Sequence, residues 1–421
     1  MTRHIPPFSL LIKPAGADCN LHCGYCFYLA KGGLYPETRR PRMSLETLEE
    51  VFRQFFAVPM GQYSFGWQGG EPTLMGVDFF REALAMQRRM APPGAVVSNG
   101  LQTNGTLLTA EWAQLLRENN VLVGLSIDGP AEIHDRYRRW ADRDGAPVAG
   151  AAGGTHRRVE ETARLLREEK VSCNALTVVG RHNEDRPVEV YDYLRSLRIR
   201  HMQFIPLMEW ERAAAGPEPS QFSVSAAGWG RFLNGIFDRW FPRDVRRVSI
   251  RHHDSIMELL VNGRYNVCTM SDRCGGHIVV EHNGDLYPCD FYVEPDLLLG
   301  SIHERDDETG STALGRAVIS PTYRAFIEQK ARRDARCEEC RYRRLCGGDC
   351  PKLRVPMDDG RGRSALCDGW ISFYDHALAD LERLSRSVAE EIGGPGAVPA
   401  VSVAAEVAAS VPPGGSLSTP E

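Results

Sequence analysis

Between residues 8 and 240 the chain alternates short apolar runs with longer amphipathic stretches six times, and this alternation narrows the choice of fold most. Strands are predicted over 8–13, 62–67, 96–102, 121–127, 171–178 and 201–205. Helices are predicted over 44–56, 77–89, 109–119, 155–169, 187–197 and 226–240, with Ser44 and Thr109 at N-cap positions before Glu- and Leu-rich periodic segments. Six β/α units with mostly buried strands predict a parallel sheet covered by helices. Six units are too few for a closed eight-unit barrel, so the expected α/β architecture is an open partial barrel. Its ligands would sit at the carboxyl ends of the strands.

After residue 246 cysteines become dense and helical periodicity fades. The Asn283-Gly284 pair between apolar runs predicts a hairpin. Helical pattern returns over 370–391, and 146–154 is a low-complexity segment expected to be a flexible surface loop. From 393 to 421 the Ala, Gly, Pro, Ser and Val composition predicts disorder. The predicted division is therefore 1–245, 246–385 and a tail over 386–421. A net charge of -5 with mixed signs argues against nucleic acid and anionic membrane partners. No secretory signal or membrane span is present in the sequence, which predicts a cytoplasmic protein. In a reducing compartment its 12 cysteines are expected to bind metal rather than pair.

Cys19, Cys23 and Cys26 form a CxxxCxxC triplet just after the first predicted strand. Three thiolates on one loop can hold three irons of a cubane cluster and leave the fourth open; a partial zinc site or free thiols are the alternatives. Three polar strings end predicted strands: Gly69-Gly70-Glu71-Pro72, Thr103-Asn104-Gly105 and Ser126-Ile127-Asp128-Gly129. They read either as tight turns or as backbone and side chains facing a ligand. His134, Arg136 and Arg138 supply cations, either solvated or, for Arg138, paired with a ligand carboxylate. Eight further cysteines stand at 268, 274, 289, 337, 340, 346, 350 and 367, enough for two sets of four. In isolation Cys337, Cys340, Cys346 and Cys350 favour zinc; beside an open-iron triplet, two electron-conducting clusters fit better. Cys173 is read as a buried strand residue. Asp290, next to Cys289, is either a turn residue or a general base.

Taken in order, Leu10-Leu11-Ile12-Lys13-Pro14 with the triplet, Trp67 to Leu74, Leu101 to Thr106, Val123 to Pro130, Gln203 to Leu207 and the cysteine-rich second half resemble the anaerobic sulfatase-maturating enzymes. These are radical S-adenosylmethionine (SAM) proteins with a SPASM domain. The resemblance runs from about residue 8 to 385 and implies a partial (β/α)6 TIM-type barrel followed by a cysteine-rich domain. It implies three [4Fe-4S] clusters: one on Cys19, Cys23 and Cys26, one on Cys268, Cys274, Cys289 and Cys350, and one on Cys337, Cys340, Cys346 and Cys367. Tyr25, Gly70, Ser126, Arg138 and Leu207 would contact SAM, and Asp290 would accept the substrate proton.

The implied reaction is cleavage of SAM to a 5'-deoxyadenosyl radical, which abstracts hydrogen from the β-carbon of a cysteine or serine in a sulfatase. The product is Cα-formylglycine. The implied partners are an unfolded sulfatase polypeptide with a Cys/Ser-X-Pro-X-Arg pattern and a reducing electron donor such as flavodoxin or ferredoxin. The segment 139–154 is longer than the family's short turn after the arginine. Rival readings are another SPASM enzyme, performing thioether crosslinking or epimerisation, and a noncatalytic iron-sulfur electron carrier or zinc scaffold. The early first strand argues against the leader-binding domain common in the former.

Overall fold

Apolar residues recur on one face of the first long helix, and that face fixes how the layers stack. In α1 (Leu45–Phe56), Leu48, Val51, Phe52 and Phe55 fall at i, i+3, i+4 and i+7 and are fully buried. They pack on the strand β2 (Gln62–Trp67), with Phe55 and Phe65 ring centroids 5.2 Å apart. Ser44 caps this helix through a 3.1 Å bond from the Thr47 N–H. In the computed structural model residues 7–393 are described, apart from 39, 215 and 307–310.

The same unit repeats. β1 (Ser9–Ile12), α1, β2, α2 (Val77–Met90), β3 (Val96–Thr103), α3 (Ala110–Glu118), β4 (Leu122–Ser126), α4 (His156–Glu168), β5 (Cys173–Val179), α5 (Pro187–Ser196), β6 (His201–Pro206) and α6 (Ala226–Asp244) follow in chain order. The six strands pair side by side, all parallel, as a partial barrel requires. Thr109 stands at the start of α3 without a side-chain capping bond. Cys173 opens β5, half-buried against the core.

The sheet does not stop where the first domain was expected to end. β7 (Ser249–Ile250) adds to β6 in parallel and leads into α7 (Arg251–Asn262). At the opposite edge β8 (His277–Val280) pairs in parallel with β1, with Leu10 opposite Ile278. The predicted Asn283-Gly284 turn joins β8 to β9 (Asp285–Tyr287), and β10 (Gly300–Ser301) completes an antiparallel extension. The ten strands run β7-β6-β5-β4-β3-β2-β1-β8-β9-β10. The second half thus continues the barrel sheet beyond its first strand, although residue 246 marks the change in composition.

A last helix, α8 (Cys367–Gly393), packs on α6 and α7. Gly230 and Gly369 permit the close approach: a side chain at Gly369 would meet the Ala226 carbonyl. The helix continues past residue 385, because Leu381 and Ser385 are buried on its inner face, so the first residues assigned to the tail are helical. The disordered tail expected beyond them lies, from 394 onward, outside the described residues. The segment 146–154, expected to be a flexible loop, is fastened instead. Ala141 bridges Pro147, Arg139 bridges Gly154, and the Arg139 guanidinium donates to the Val148 and Gly150 carbonyls. No described helix is long and apolar enough to cross a membrane.

Candidate active site

The cysteine triplet lies on the loop leaving the carboxyl end of β1. Its middle section, Leu21–Cys23, forms an antiparallel pair with Arg138–Trp140, placing Cys23 opposite Arg138. The Gly69-Gly70-Glu71 string at the end of β2 is bound to this loop by backbone: Gly70 N–H donates to Gly16 O at 2.9 Å and Glu71 N–H to Asp18 O at 2.8 Å. A side chain at Gly70 would run into the Ala17 and Asp18 carbonyls, so the glycine permits a loop-to-loop contact. Glu71 is fully buried and accepts from Thr73 N (3.0 Å), Thr73 Oγ1 (2.5 Å), Thr103 Oγ1 (2.7 Å) and Asn104 N (2.7 Å). Burial raises its pKa and these bonds oppose the rise. Asn104 in turn donates to Asn20 Oδ1 at 2.9 Å and to Cys19 Sγ at 3.7 Å. The strand-end strings therefore build the platform that holds Cys19.

Asp128 organises the opposite side. Its carboxylate is buried and accepts from Arg138 Nε at 2.8 Å, Arg138 Nη2 at 3.2 Å, Tyr25 Oη at 2.5 Å and Val178 N at 3.0 Å. Burial opposes ionisation, but Arg138 outweighs it and lowers the carboxyl to about 2. The observed partner of Arg138 is thus Asp128, and the folded 139–154 segment leaves Arg138 beside Cys23. His134, read as a cation in the sequence, is instead buried and neutral, its pKa lowered to about 3 by burial and by Arg138. Leu207, Tyr25, Cys23 and Leu21 form one small apolar cluster against Cys19 and Cys26. Ser126 ends β4, its hydroxyl making no hydrogen bond among the described residues.

Asp290 reaches the triplet from the second half of the chain. Its Oδ2 accepts from Tyr28 Oη and from Gln68 Nε2 (2.6 Å), while Oδ1 lies 3.5 Å from Lys13 Nζ without a hydrogen bond. Lys13 also pairs with Glu281 at 2.5 Å, and all three charged groups are buried. Burial works to lower the Lys13 pKa, but Asp290 and Glu281 together raise it. Asp290 and Tyr28 both lie within electrostatic reach of Cys26. Lys13, Tyr28, Gln68 and Glu281 were not singled out in the sequence. A lysine ending one apolar strand and a glutamate ending another were the available signal, but only the β1–β8 pairing makes them neighbours.

The eight remaining cysteines separate into two groups by their mutual electrostatic influence. Cys268, Cys274, Cys289 and Cys350 act on one another, and so do Cys337, Cys340, Cys346 and Cys367. The Gly347 to Asp349 turn, three residues with positive φ, crosses between the groups and lets Cys350 join the first. Burial pushes most of these thiols up, Cys289 to about 12 and Cys274 to about 11; in the triplet Cys23 rises to about 12. Thiolates in such surroundings need positive charge, which coordinated iron supplies. No group of three His, Cys, Asp or Glu among the described residues is arranged to hold a single metal ion.

Residues 14–194 match the radical SAM superfamily, and 268–341 match an iron-sulfur cluster-binding domain, SPASM. A serine-type anaerobic sulfatase-maturating enzyme of Bacteroides thetaiotaomicron is 35% identical over 91% of this chain and 92% of its own. A cysteine-type anaerobic sulfatase-maturating enzyme of Clostridium perfringens is 34% identical over 91% of this chain and 100% of its own. Among solved structures, native anSMEcpe with bound AdoMet and Cp18Cys peptide superposes with a TM-score of 0.80 at 32% identity, over 91% of this chain and 100% of that one. Barrel, cysteine triplet and second cysteine-rich half together define a radical SAM protein with a SPASM domain. Within that class the similarity spans nearly the full length of both chains, and this chain belongs to the anaerobic sulfatase-maturating enzymes.

Proposed function

We propose that the chain oxidises a cysteine or serine of an unfolded sulfatase polypeptide to Cα-formylglycine, using three [4Fe-4S] clusters and SAM. The observation that carries this reading is Asp290, a buried carboxylate brought from the second half into hydrogen bonds with Gln68 and with Tyr28, two residues after Cys26. Cys19, Cys23 and Cys26 would hold the first cluster; Cys268, Cys274, Cys289 and Cys350 the second; Cys337, Cys340, Cys346 and Cys367 the third. Tyr25, Gly70, Ser126, Arg138 and Leu207 would contact SAM. When bound, these groups supply the hydrogen-atom abstraction and electron acceptance of radical SAM chemistry.

The chain's own contribution is positioning and proton transfer. Tyr28 and Gln68 occupy Asp290 Oδ2, so the proton of the substrate thiol or hydroxyl would arrive at Oδ1. Lys13 Nζ faces that oxygen at 3.5 Å. The Cp18Cys peptide bound to anSMEcpe supports a polypeptide substrate, and relatives of both serine and cysteine type support either target residue. The Cys/Ser-X-Pro-X-Arg pattern, a flavodoxin or ferredoxin as electron donor and action in the cytoplasm complete the proposal.

Anaerobically reconstituted protein, SAM, a strong reductant and paired Cys-X-Pro-X-Arg and Ser-X-Pro-X-Arg peptides test it by mass spectrometry. A peptide aldehyde formed together with 5'-deoxyadenosine is expected. Deoxyadenosine with both peptides unchanged would place the substrate elsewhere.

A further inference from the structure

Two cations are buried beside the cysteine-rich segments without a matching number of carboxylates among the described residues. Lys330, fully buried, spends its ammonium on the Cys268 carbonyl and on Thr269 O at 2.9 Å. Arg354, also buried, donates to Gly348 O (2.9 Å), Arg332 O (2.6 Å), Lys330 O (2.9 Å) and Asp349 O (3.2 Å). Neither makes an ion pair with a carboxylate among the described residues. One buried carboxylate, Asp349, lies in the field of both. Its oxygens are already engaged by Cys350 N at 2.7 Å, Ser364 Oγ at 2.7 Å and Trp370 Nε1 at 2.8 Å.

A buried charge without a counterion is strongly unfavourable. The compensating negative charge must therefore come from the cysteine groups. Four thiolates around a four-iron cluster leave a net anion, whose potential follows the surrounding charge. The two cations are placed differently. Lys330 holds the Cys268 carbonyl, and the charges of Cys274, Cys268 and Cys350, all of one group, work against the lowering of its pKa by burial. Arg354 holds the Asp349 carbonyl beside Cys350, and the charges that favour it include Cys350 and Cys274 of that group and Cys337 of the other.

We propose that Lys330 and Arg354 are built-in countercharges of the two auxiliary clusters, Lys330 setting the potential of the cluster on Cys268, Cys274, Cys289 and Cys350 alone, and Arg354 that of both. This rests on the reading that the two cysteine groups hold [4Fe-4S] clusters. Reduction adds negative charge to a cluster, so a nearby cation favours the reduced form and its removal lowers the midpoint potential.

The test is an EPR-monitored redox titration of the reconstituted full chain as wild type, Lys330→Met, Lys330→Arg, Arg354→Gln and Arg354→Lys, after iron and sulfide analysis. Signals that change on adding SAM identify the first cluster. Lys330→Met should shift one auxiliary midpoint downward and leave the other in place, Lys330→Arg should restore it, and Arg354→Gln should shift both, with recovery in Arg354→Lys. Loss of a cluster in Lys330→Met but not in Lys330→Arg would equally show the need for charge. Unchanged midpoints with both clusters present overturn the proposal, as does the same cluster loss in the Met and Arg variants. Wild type lacking two auxiliary clusters by iron count would overturn the cluster reading itself.

Discussion

Asp290 shows how one residue gains a role from neighbours distant in sequence. Tyr28 and Gln68, from the first half of the chain, donate to its Oδ2, and Lys13 lies 3.5 Å from its Oδ1. Asp290→Asn keeps the shape and the contacts to Oδ2 but removes the proposed proton acceptor. The expected result is retention of all three clusters and of SAM cleavage, with peptide oxidation reduced by about two orders of magnitude or more; aldehyde formation at the wild-type rate would remove the residue from the reaction. The cysteine triplet was legible in the sequence because its spacing is itself chemical information, whereas the division of the later eight into two sets followed only from the resemblance. Lys13 was not assigned a role because it owes its meaning to partners on other strands, and Glu71, in a string read as a turn or as facing a ligand, instead holds Thr103 and Asn104. Asp128 was read as facing a ligand, and its partner is Arg138.

At the scale of elements, the packing of α6, α7 and α8 carries a buried histidine, His253, and a half-buried one, His252, in an aromatic layer. His253 stacks on Phe373 with centroids 5.5 Å apart and lies 4.7 Å from Trp240; His252 lies 4.6 Å from Trp370. Neither His253 nitrogen has a hydrogen-bond partner among the described residues. Burial lowers their pKa from 6.5, to about 4 for His252 and about 3 for His253. Below about pH 6.5 the unfolded chain takes up protons that the folded chain refuses, so stability falls with pH until the folded values are reached. Each histidine contributes a slope of up to about 1.4 kcal/mol per pH unit in that window. Melting temperatures of the holoprotein at about pH 7.5 and about pH 5.5 should therefore differ less in His253→Leu than in wild type. An equal drop in both would assign the pH dependence to other groups. The six barrel strands were readable to within two residues because their apolar runs are local. Attachment of β8 to β1 was not, since it depends on residues more than 260 positions apart.

For the whole molecule, that attachment is the decisive feature. It carries the hairpin, Cys289 and Asp290 from the second half to the mouth of the barrel, and it brings Glu281 against Lys13. Composition shifts marked two domains, whereas one ten-stranded sheet spans both. The continuous sheet places Asp290 of one half beside the cysteine triplet of the other, as the proposed base role requires.

The proposed reaction turns on loss of hydrogen from the β-carbon of a peptide held between those halves. A Cys-X-Pro-X-Arg or Ser-X-Pro-X-Arg peptide deuterated at that carbon, incubated anaerobically with holoprotein, SAM and reductant, tests it by mass spectrometry of both products. Deuterium in 5'-deoxyadenosine, together with the peptide aldehyde, is the expected result. Aldehyde formed with no deuterium in the deoxyadenosine would contradict hydrogen abstraction at that carbon.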